Sequence, residues 1–281
     1  MQEFVGKTAV VTGAASGIGQ ALCTRFAALG MNLVMADIEA DALAAAAREI
    51  SADVLAVETD VAVAESVEHL ADRSFAQFGA VHVLCNNAGV FSGGSLWDAP
   101  LADYQWLMNV NVWGVIHGIH SFVPRMIEHG EPAHVVNTSS MAGLTSLPFA
   151  GIYHMTKHAV IGLSECLYHE LRVANTQVHA SVLCPELIAT RIHRSERNRP
   201  TDLMGREPAG EGAVTRDLVN QAISKGVESG IPPARIAERV VEAIRAERFY
   251  ILAEDEWRDT CNARLDDVRE ARNPVLKAPM P

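Results

Sequence analysis

The sequence has 281 residues, of which 49% are hydrophobic and 20% are charged, and its formal net charge is −11. This composition is typical of a globular protein with a large core, and the acidic balance argues against nucleic-acid binding, which needs a basic surface. No apolar run reaches the roughly 18 residues that span a bilayer, and the first residues lack the basic region of a signal peptide, so we expect a soluble cytoplasmic protein without membrane contact. Five cysteines, odd in number and scattered through apolar runs, indicate buried reduced thiols rather than disulfides or a metal site.

The first predicted element is a short strand over residues 8–12, followed at once by a glycine-rich turn and a helix from Gln20 to Leu29. Glycines let the turn tighten and let a phosphate approach the backbone, and the N-terminus of the following helix attracts negative charge. This order of strand, turn and helix predicts a dinucleotide site. Its candidate residues are Gly13, Ser16, Gly17, Ile18 and Gly19.

A second strand, over residues 32–36, ends at Asp37, eighteen residues after Gly19. A carboxylate here can bind the adenosine ribose hydroxyls and repel a 2′-phosphate, or it can cap the alanine-rich helix predicted over 39–50. We favour ribose binding because Ala15 and Ile38 offer no cation for a phosphate. After a third strand, over 54–58, Asp60 has two similar alternatives, adenine contact or helix cap, and the sequence leaves both open.

Further strands are predicted over 81–85, 134–137, 178–184 and 249–252, and further helices over 63–78, 101–129, 152–175, 234–245 and 256–272. Regular alternation of strands and helices is typical of a parallel sheet that is covered on both faces. We therefore predict one α/β domain over residues 1–281, a doubly wound (Rossmann) parallel sheet of seven strands. Pro124 predicts a kink near the end of the helix over 101–129.

Small and polar residues collect where two of these strands end. A turn from Asn86 to Gly89 follows the fourth strand, and Ser139 and Ser140 follow the fifth. Open α/β sheets bind their ligands at the carboxyl ends of the strands, so this edge is the candidate site. Asn111 lies in an apolar helix and needs hydrogen-bond partners, and a purely structural amide explains it as well as a functional one.

Tyr153 and Lys157 stand four residues apart in a predicted helix, so they share one helix face. A nearby ammonium group favours the phenolate and lowers the pKa of a tyrosine, which can then exchange a proton near neutrality. The alternative is a surface aromatic beside a solvated lysine. The pair is suggestive by itself, and its weight depends on the motifs that precede it.

Taken in order, these motifs make residues 5–253 similar to the classical short-chain dehydrogenase/reductase family. The turn from Thr12 to Gly19 resembles the family's cofactor turn, and Tyr153-x-x-x-Lys157 resembles its active-site signature, with Ser140 thirteen residues before the tyrosine. The resemblance implies NAD as the cofactor and a catalytic set of Asn111, Ser140, Tyr153 and Lys157. The cofactor contacts that it implies are Gly13, Ser16, Gly17, Ile18, Gly19, Asp37, Asp60, Val61, Asn87, Ala88, Gly89, Tyr153, Lys157, Pro185, Ile188 and Thr190.

The resemblance also implies a reaction, the interconversion of a secondary alcohol and a ketone. Tyr153 exchanges the proton, Ser140 binds the substrate oxygen, Lys157 holds the nicotinamide ribose and lowers the pKa of Tyr153, and Asn111 holds a water on the proton path. Family members pair through two long helices, here 101–129 and 152–175, so we expect a homotetramer or homodimer. A catalytically silent NAD-binding sensor or scaffold is the alternative, since fold does not fix function.

After the sixth strand the sequence departs from the family, which has Pro-Gly where this chain has Pro185-Glu186. The regular pattern then stops, and we call residues 187–232 the lid segment because a loop of this length is commonly a lid or binding segment. The lid segment is predicted to cover a bulky or ring-containing substrate, as in relatives with long lids. Residues 254–281 are predicted to form a C-terminal helical extension. Between positions 191 and 206 the lid segment carries five arginines, Arg191, Arg194, Arg197, Arg199 and Arg206.

Overall fold

Valine-rich runs form the strands of the central sheet, because β-branched side chains fit a pleated surface that is buried on both faces. A computed structural model describes residues 1–204, 210–252 and 255–277. Within these residues seven parallel strands form one sheet in the order β3-β2-β1-β4-β5-β6-β7, which confirms the predicted doubly wound fold. The strands are β1 (Thr8–Thr12), β2 (Asn32–Asp37), β3 (Val54–Glu58), β4 (Val83–Asn86), β5 (Ala133–Thr138), β6 (Val178–Cys184) and β7 (Tyr250–Leu252).

Helices connect these strands and cover both faces of the sheet. They are α1 (Gly17–Ala28), α2 (Ala40–Arg48), α3 (Ala64–Phe78), α4 (Leu101–Leu107), α5 (Gly114–Glu128), α6 (Gly151–Val173), α7 (Glu211–Glu228), α8 (Pro233–Ala246) and α9 (Asp255–Arg269). Alternate residues of each strand point to opposite faces: Val11 contacts a cluster with α1, α2 and α8, whereas Val10 contacts a cluster with α3, α5 and α6. The sheet is therefore the shared wall of two apolar cores.

The predicted helix over 101–129 is one helical run with a change of pitch in its middle. Met108–Trp113 is a π-helical segment between α4 and α5, and Asn111 lies within it. Single π-helical turns inside α-helices occur frequently at functional sites. Pro124 lies inside α5, as the sequence placed it.

The lid segment contains more regular structure than the sequence predicts. Ile192–Asn198 and Thr201–Leu203 are short 3-10 helices, and α7 occupies eighteen residues that lack a clear apolar period. Residues 205–209, including Arg206, lie outside the described residues, as do 253–254 and 278–281 of the C-terminal region. Within the predicted extension α9 ends at Arg269, residues 270–277 are not helical, and Trp257 and Cys261 of α9 pack beside β6 and β7.

Strand order reverses between β1 and β4, where β2 lies on one side of β1 and β4 on the other. The crevice outside the carboxyl ends of these strands is the usual ligand site of a doubly wound sheet. None of the helices within the described ranges has the length and apolarity to cross a membrane. The same residues hold no group of three or more His, Cys, Asp or Glu side chains placed to bind a metal ion. Cys166 is exposed on α6, contrary to the expectation of buried thiols, whereas Cys23, Cys85, Cys184 and Cys261 are buried.

Candidate active site

The turn after β1 has a backbone that only glycine adopts easily. Gly13 and Gly17 have φ angles of +66° and +57°, in the left-handed region. A Cβ on Gly17 would lie 2.9 Å from Cγ2 of Thr190, and one on Gly19 would lie 2.1 Å from the carbonyl oxygen of Gly13. The turn therefore leads directly into the N-terminus of α1 with its backbone open to a ligand, which fits the pyrophosphate of a dinucleotide.

Thr12, at the end of β1, ties this turn to the loop after β4. Its Oγ1 accepts hydrogen bonds from the backbone N–H of Asn87 (2.9 Å) and of Ala88 (3.1 Å). The Asn87 amide in turn donates to the carbonyl oxygen of Thr12 at 3.0 Å. Two loops that are 75 residues apart in sequence thus form one rigid floor.

Asp37 lies at the end of β2 and bonds to the backbone of two neighbouring loops. Its Oδ2 accepts from the N–H of Ala15 at 2.9 Å, and its Oδ1 accepts from the N–H of Glu39 at 3.0 Å. The N-cap position of α2 belongs to Glu39, so the capping alternative does not hold for Asp37. Asp60 likewise forms a local turn by accepting from the N–H of Ala62, upstream of α3, whose N-cap is Val63.

The predicted catalytic side chains meet at the other end of the crevice. Tyr153 packs edge-on against Phe91, with ring centroids 5.2 Å apart. Lys157 is buried, lies with its Nζ 5.5 Å from the Tyr153 ring centroid, and donates a hydrogen bond to the carbonyl oxygen of Thr138 at 3.0 Å. Ser140 interacts with the Tyr153 phenol, and its Oγ accepts from the N–H of Ala142 at 3.1 Å.

The pKa values of this group correct one expectation from the sequence. Burial raises the pKa of Tyr153 to about 12, and the hydrogen bond with Ser140 opposes this rise only in part. Burial also lowers the pKa of Lys157 to about 8, because the charged ammonium is removed from water. The predicted lowering of the Tyr153 pKa by Lys157 is therefore not found, since burial of the phenol dominates and the opposing effect comes from Ser140.

Asn111 makes contacts that favour a positioning role. Its Oδ1 accepts from the N–H of Val90 at 2.8 Å, while its Nδ2 donates to the carbonyl oxygen of Val90 at 3.0 Å and to Thr156 Oγ1 at 3.1 Å. Both ends of the amide are thus engaged with protein. Gly89 contacts both Asn111 and Lys157, since a Cβ on Gly89 would lie 3.4 Å from Asn111 Oδ1 and 3.5 Å from Lys157 Nζ. By binding the backbone of Val90, Asn111 therefore fixes this loop beside the lysine.

One cavity of about 460 Å³ joins the glycine turn to the catalytic group. Most of the predicted site residues line it; the exceptions are Gly19, which packs against Gly13, and Asn111, which is fully buried. The predicted residues that line the cavity are Gly13, Ser16, Gly17, Ile18, Asp37, Asp60, Val61, Asn87, Ala88, Gly89, Ser140, Tyr153, Lys157, Pro185, Ile188 and Thr190.

Glu186, which replaces the family's glycine, also lines the cavity. Its Oε1 accepts a hydrogen bond from Arg239 of α8 at 2.8 Å, whereas its buried Oε2 has no hydrogen-bond partner among the residues that the structure describes. The pairing with Arg239 gives the carboxylate a neighbour of opposite charge, so the loop accommodates a residue larger than glycine.

Sequence reasoning did not identify several ion pairs near the cavity. Arg199 and Arg216 both form ion pairs with the buried Asp103, and Arg197 pairs with Glu39. The sequence shows the run of arginines in the lid segment. It does not show which acids they pair with, because these acids lie about a hundred residues or more earlier in the chain. The guanidinium groups of Arg197 and Arg199 are thus engaged with carboxylates of the protein.

A family model described as short chain dehydrogenase matches residues 7–201. The chain belongs to the classical short-chain dehydrogenase/reductase family. It is therefore an oxidoreductase that uses a nicotinamide cofactor, as the resemblance implied. The predicted family is confirmed.

Individual relatives extend this likeness over the whole chain. A crystal structure of a family member from Burkholderia phymatum in complex with NAD superposes with a TM-score of 0.96, at 42% identity and with full coverage of both chains. The 1-deoxy-11-beta-hydroxypentalenate dehydrogenase of Streptomyces exfoliatus is 36% identical, over 93% of this chain and 88% of the relative. The CLA biosynthesis dehydrogenase/reductase of Lactiplantibacillus plantarum is 32% identical, over 95% of each chain.

Proposed function

We propose that this protein is an NAD(H)-dependent oxidoreductase that interconverts a secondary alcohol and a ketone. The observation that carries the proposal is the meeting of Ser140, Tyr153 and the buried Lys157 at one end of a cavity whose other end holds the glycine turn and Asp37. A proton-transfer group and a nucleotide-binding turn on one cavity are the two parts that hydride-transfer chemistry requires.

Each side chain has a distinct task in alcohol oxidation. Tyr153, once deprotonated, takes the proton of the substrate hydroxyl, and the Ser140 hydroxyl donates a hydrogen bond to the same oxygen as it becomes a carbonyl oxygen. Bound NAD supplies the acceptor for the hydride that leaves the alcohol carbon. Lys157 holds the nicotinamide ribose, and Asn111 keeps the 89–90 loop in place beside it. In ketone reduction the Tyr153 phenol gives the proton back.

The preference for NAD over NADP rests on Asp37. Its carboxylate lines the cavity at the end of β2 and bonds to backbone N–H groups on both sides, which supports a role in binding the ribose and repelling a 2′-phosphate. The relative from Burkholderia phymatum was crystallised with NAD, which supports the same choice.

A bulky apolar substrate fits the other half of the cavity. Beyond Tyr153 the lining is apolar, with Phe91, Trp106, Leu147, Leu203 and Ile223 among its residues. Such surfaces bind substrates through apolar contact and leave orientation to a few polar groups. The name of the Streptomyces relative gives a hydroxyl-bearing compound as its substrate, which supports oxidation of a hydroxyl group by this chain as well.

A spectrophotometric assay of NADH formation with a panel of secondary alcohols tests the proposal. Tyr153→Phe should lower kcat by about 10²–10⁴-fold, because the variant loses the acid–base group and keeps the ring. Its affinity for NAD, measured by calorimetry, should match the wild-type value. A variant that keeps more than about a third of wild-type activity contradicts the role of Tyr153, and NAD binding without turnover of any alcohol or ketone favours the sensor alternative.

A further inference from the structure

The buried carboxylate of Asp103, near the start of α4, binds the lid segment at two places, Arg199 and Arg216. The side chain of Asp103 is excluded from solvent. Its Oδ1 accepts a hydrogen bond from Arg199, and its Oδ2 accepts one from Arg216 and another from Ser92 Oγ at 3.1 Å. An unpaired charge would be very costly at such a depth, so the arginines and the carboxylate require each other.

Arg199 links Asp103 to one wall of the substrate half of the cavity. Its guanidinium lies 5.1 Å from the ring centroid of Trp106, which is one turn along α4 from Asp103. Its Nε donates to the carbonyl oxygen of Leu203 at 2.8 Å. Trp106 and Leu203 both line the cavity, so a shift of Arg199 moves two of its apolar surfaces.

Arg216 links Asp103 to a second part of the cavity wall, which α7 forms. Three and seven residues further along α7, on the same helix face, Val219 and Ile223 line the cavity. The Arg216 Nη2 also donates to Ser92 Oγ at 3.0 Å, next to Phe91, whose ring packs on Tyr153. One carboxylate thus fixes the wall at Trp106 and the wall at α7 relative to the catalytic tyrosine.

We propose that Asp103 is a positioning residue that sets the shape of the substrate half of the cavity and so determines the preference for bulky apolar alcohols. The proposal rests on the proposed function. Asp103 itself lies behind the wall and is absent from the cavity lining, so it acts through Arg199 and Arg216. When it is removed, α7 and the 199–203 region lose their common anchor while the glycine turn, Asp37 and Tyr153 keep theirs.

The test compares Asp103→Asn and Arg216→Met with Arg25→Met. Arg25 pairs with Glu238 at 2.8 Å between α1 and α8, outside the cavity, so this control removes an ion pair with no link to the lid segment. For each variant we would measure kcat/KM with a ring-containing and with a small secondary alcohol, NAD affinity by calorimetry, and hydrogen exchange of 211–228.

In Asp103→Asn and Arg216→Met the ratio of the two kcat/KM values should fall at least about tenfold, mainly through KM of the ring-containing alcohol, because small misplacements of a pocket wall have effects of this size. Exchange over α7 should become faster, while NAD affinity and kcat for the small alcohol stay near those of Arg25→Met. An unchanged ratio in both variants overturns the proposal, even if exchange over α7 rises, since Asp103 would then be structural only.

Two outcomes remain separate from these. If Asp103→Asn does not fold, Arg216→Met decides alone, because there Asp103 keeps Arg199 as its partner. If the wild-type protein oxidises no alcohol and reduces no ketone, the proposed function is wrong. Unchanged hydrogen exchange over α7 in Arg216→Met would show, independently of activity, that Asp103 does not anchor α7.

Discussion

Arg197 of the lid segment donates two hydrogen bonds to one carboxylate oxygen of Glu39, from Nε at 2.9 Å and from Nη2 at 2.7 Å. Glu39 lies two residues beyond Asp37. Asn198 donates to the same oxygen at 3.0 Å. The lid segment therefore reaches from the substrate half of the cavity to its adenosine half. We call this contact the Glu39 clasp.

The clasp should slow the release of the cofactor. Glu39→Gln should accelerate NADH release by up to about fivefold, because a partly exposed ion pair contributes at most about 1 kcal/mol. Stopped-flow measurement of NADH fluorescence checks this. Glu238→Gln, which breaks the pair with Arg25, is the matched control and should leave the release rate unchanged. Equal rates in the wild type and Glu39→Gln would show that the clasp does not limit release.

The same clasp has a defined dependence on salt and pH. The hydrogen bond from Arg197 lowers the pKa of Glu39, so the pair is intact at neutral pH and is lost only as the pH falls through that lowered pKa. Screening weakens partly exposed pairs, so NADH release from the wild type should become faster as ionic strength rises. Release from Glu39→Gln should respond less to salt.

Asp37 should determine cofactor choice through its charge. Asp37→Asn keeps the shape of the side chain, removes the charge and can keep only one of the two bonds to the N–H groups of Ala15 and Glu39, whereas Asp37→Ala removes both. Both variants should narrow or reverse the preference for NAD over NADP in kcat/KM, and Asp37→Ala should also weaken NAD binding because the glycine turn loses its brace. A wild-type protein that uses both cofactors equally would refute the ribose-binding role.

The raised pKa of Tyr153 predicts opposite pH profiles for the two directions. Oxidation requires the phenolate, so its kcat/KM should rise with pH towards the pKa of about 12, and the positive charge of bound oxidised nicotinamide should move that rise to lower pH. Reduction requires the protonated phenol and should be level at neutral pH and fall in alkali. Steady-state rates in both directions check the signs, and a pH-independent oxidation rate would contradict the assignment.

The protein should form a homodimer or homotetramer through α5 and α6. Trp113, at the N-cap of α5, is 46% exposed and Val173, at the end of α6, is 89% exposed. Apolar side chains exposed on two long helices are suited to pairing with a second copy. Light scattering at micromolar concentration checks the mass, and Trp113→Glu should shift it towards the monomer. A wild-type monomer would refute this arrangement.

Motif spacing and apolar pattern were enough to predict the sheet and a set of residues most of which line one cavity. The strand before Gly13, the acid at the end of β2 and the four-residue step from Tyr153 to Lys157 are local features, and the chain order of a doubly wound fold brings strand ends to one edge. For this reason the cavity contains nearly every residue that was predicted to line it.

Only the tertiary structure determined the features that depend on residues distant in sequence or on burial, namely the position of α7, the position of Asn111 and the pKa of Tyr153. The charged Arg216 shares the inward face of α7 with Val219 and Ile223 and interrupts its apolar period, and the helix is held by an acid 113 residues earlier. Asn111 is placed by a π-helical turn that leaves no mark on the apolar pattern. The pKa of Tyr153 rises because the phenol is buried, and no spacing rule measures burial. The sequence thus determined the fold and the chemical groups, while packing determined their protonation and the shape of the substrate cavity.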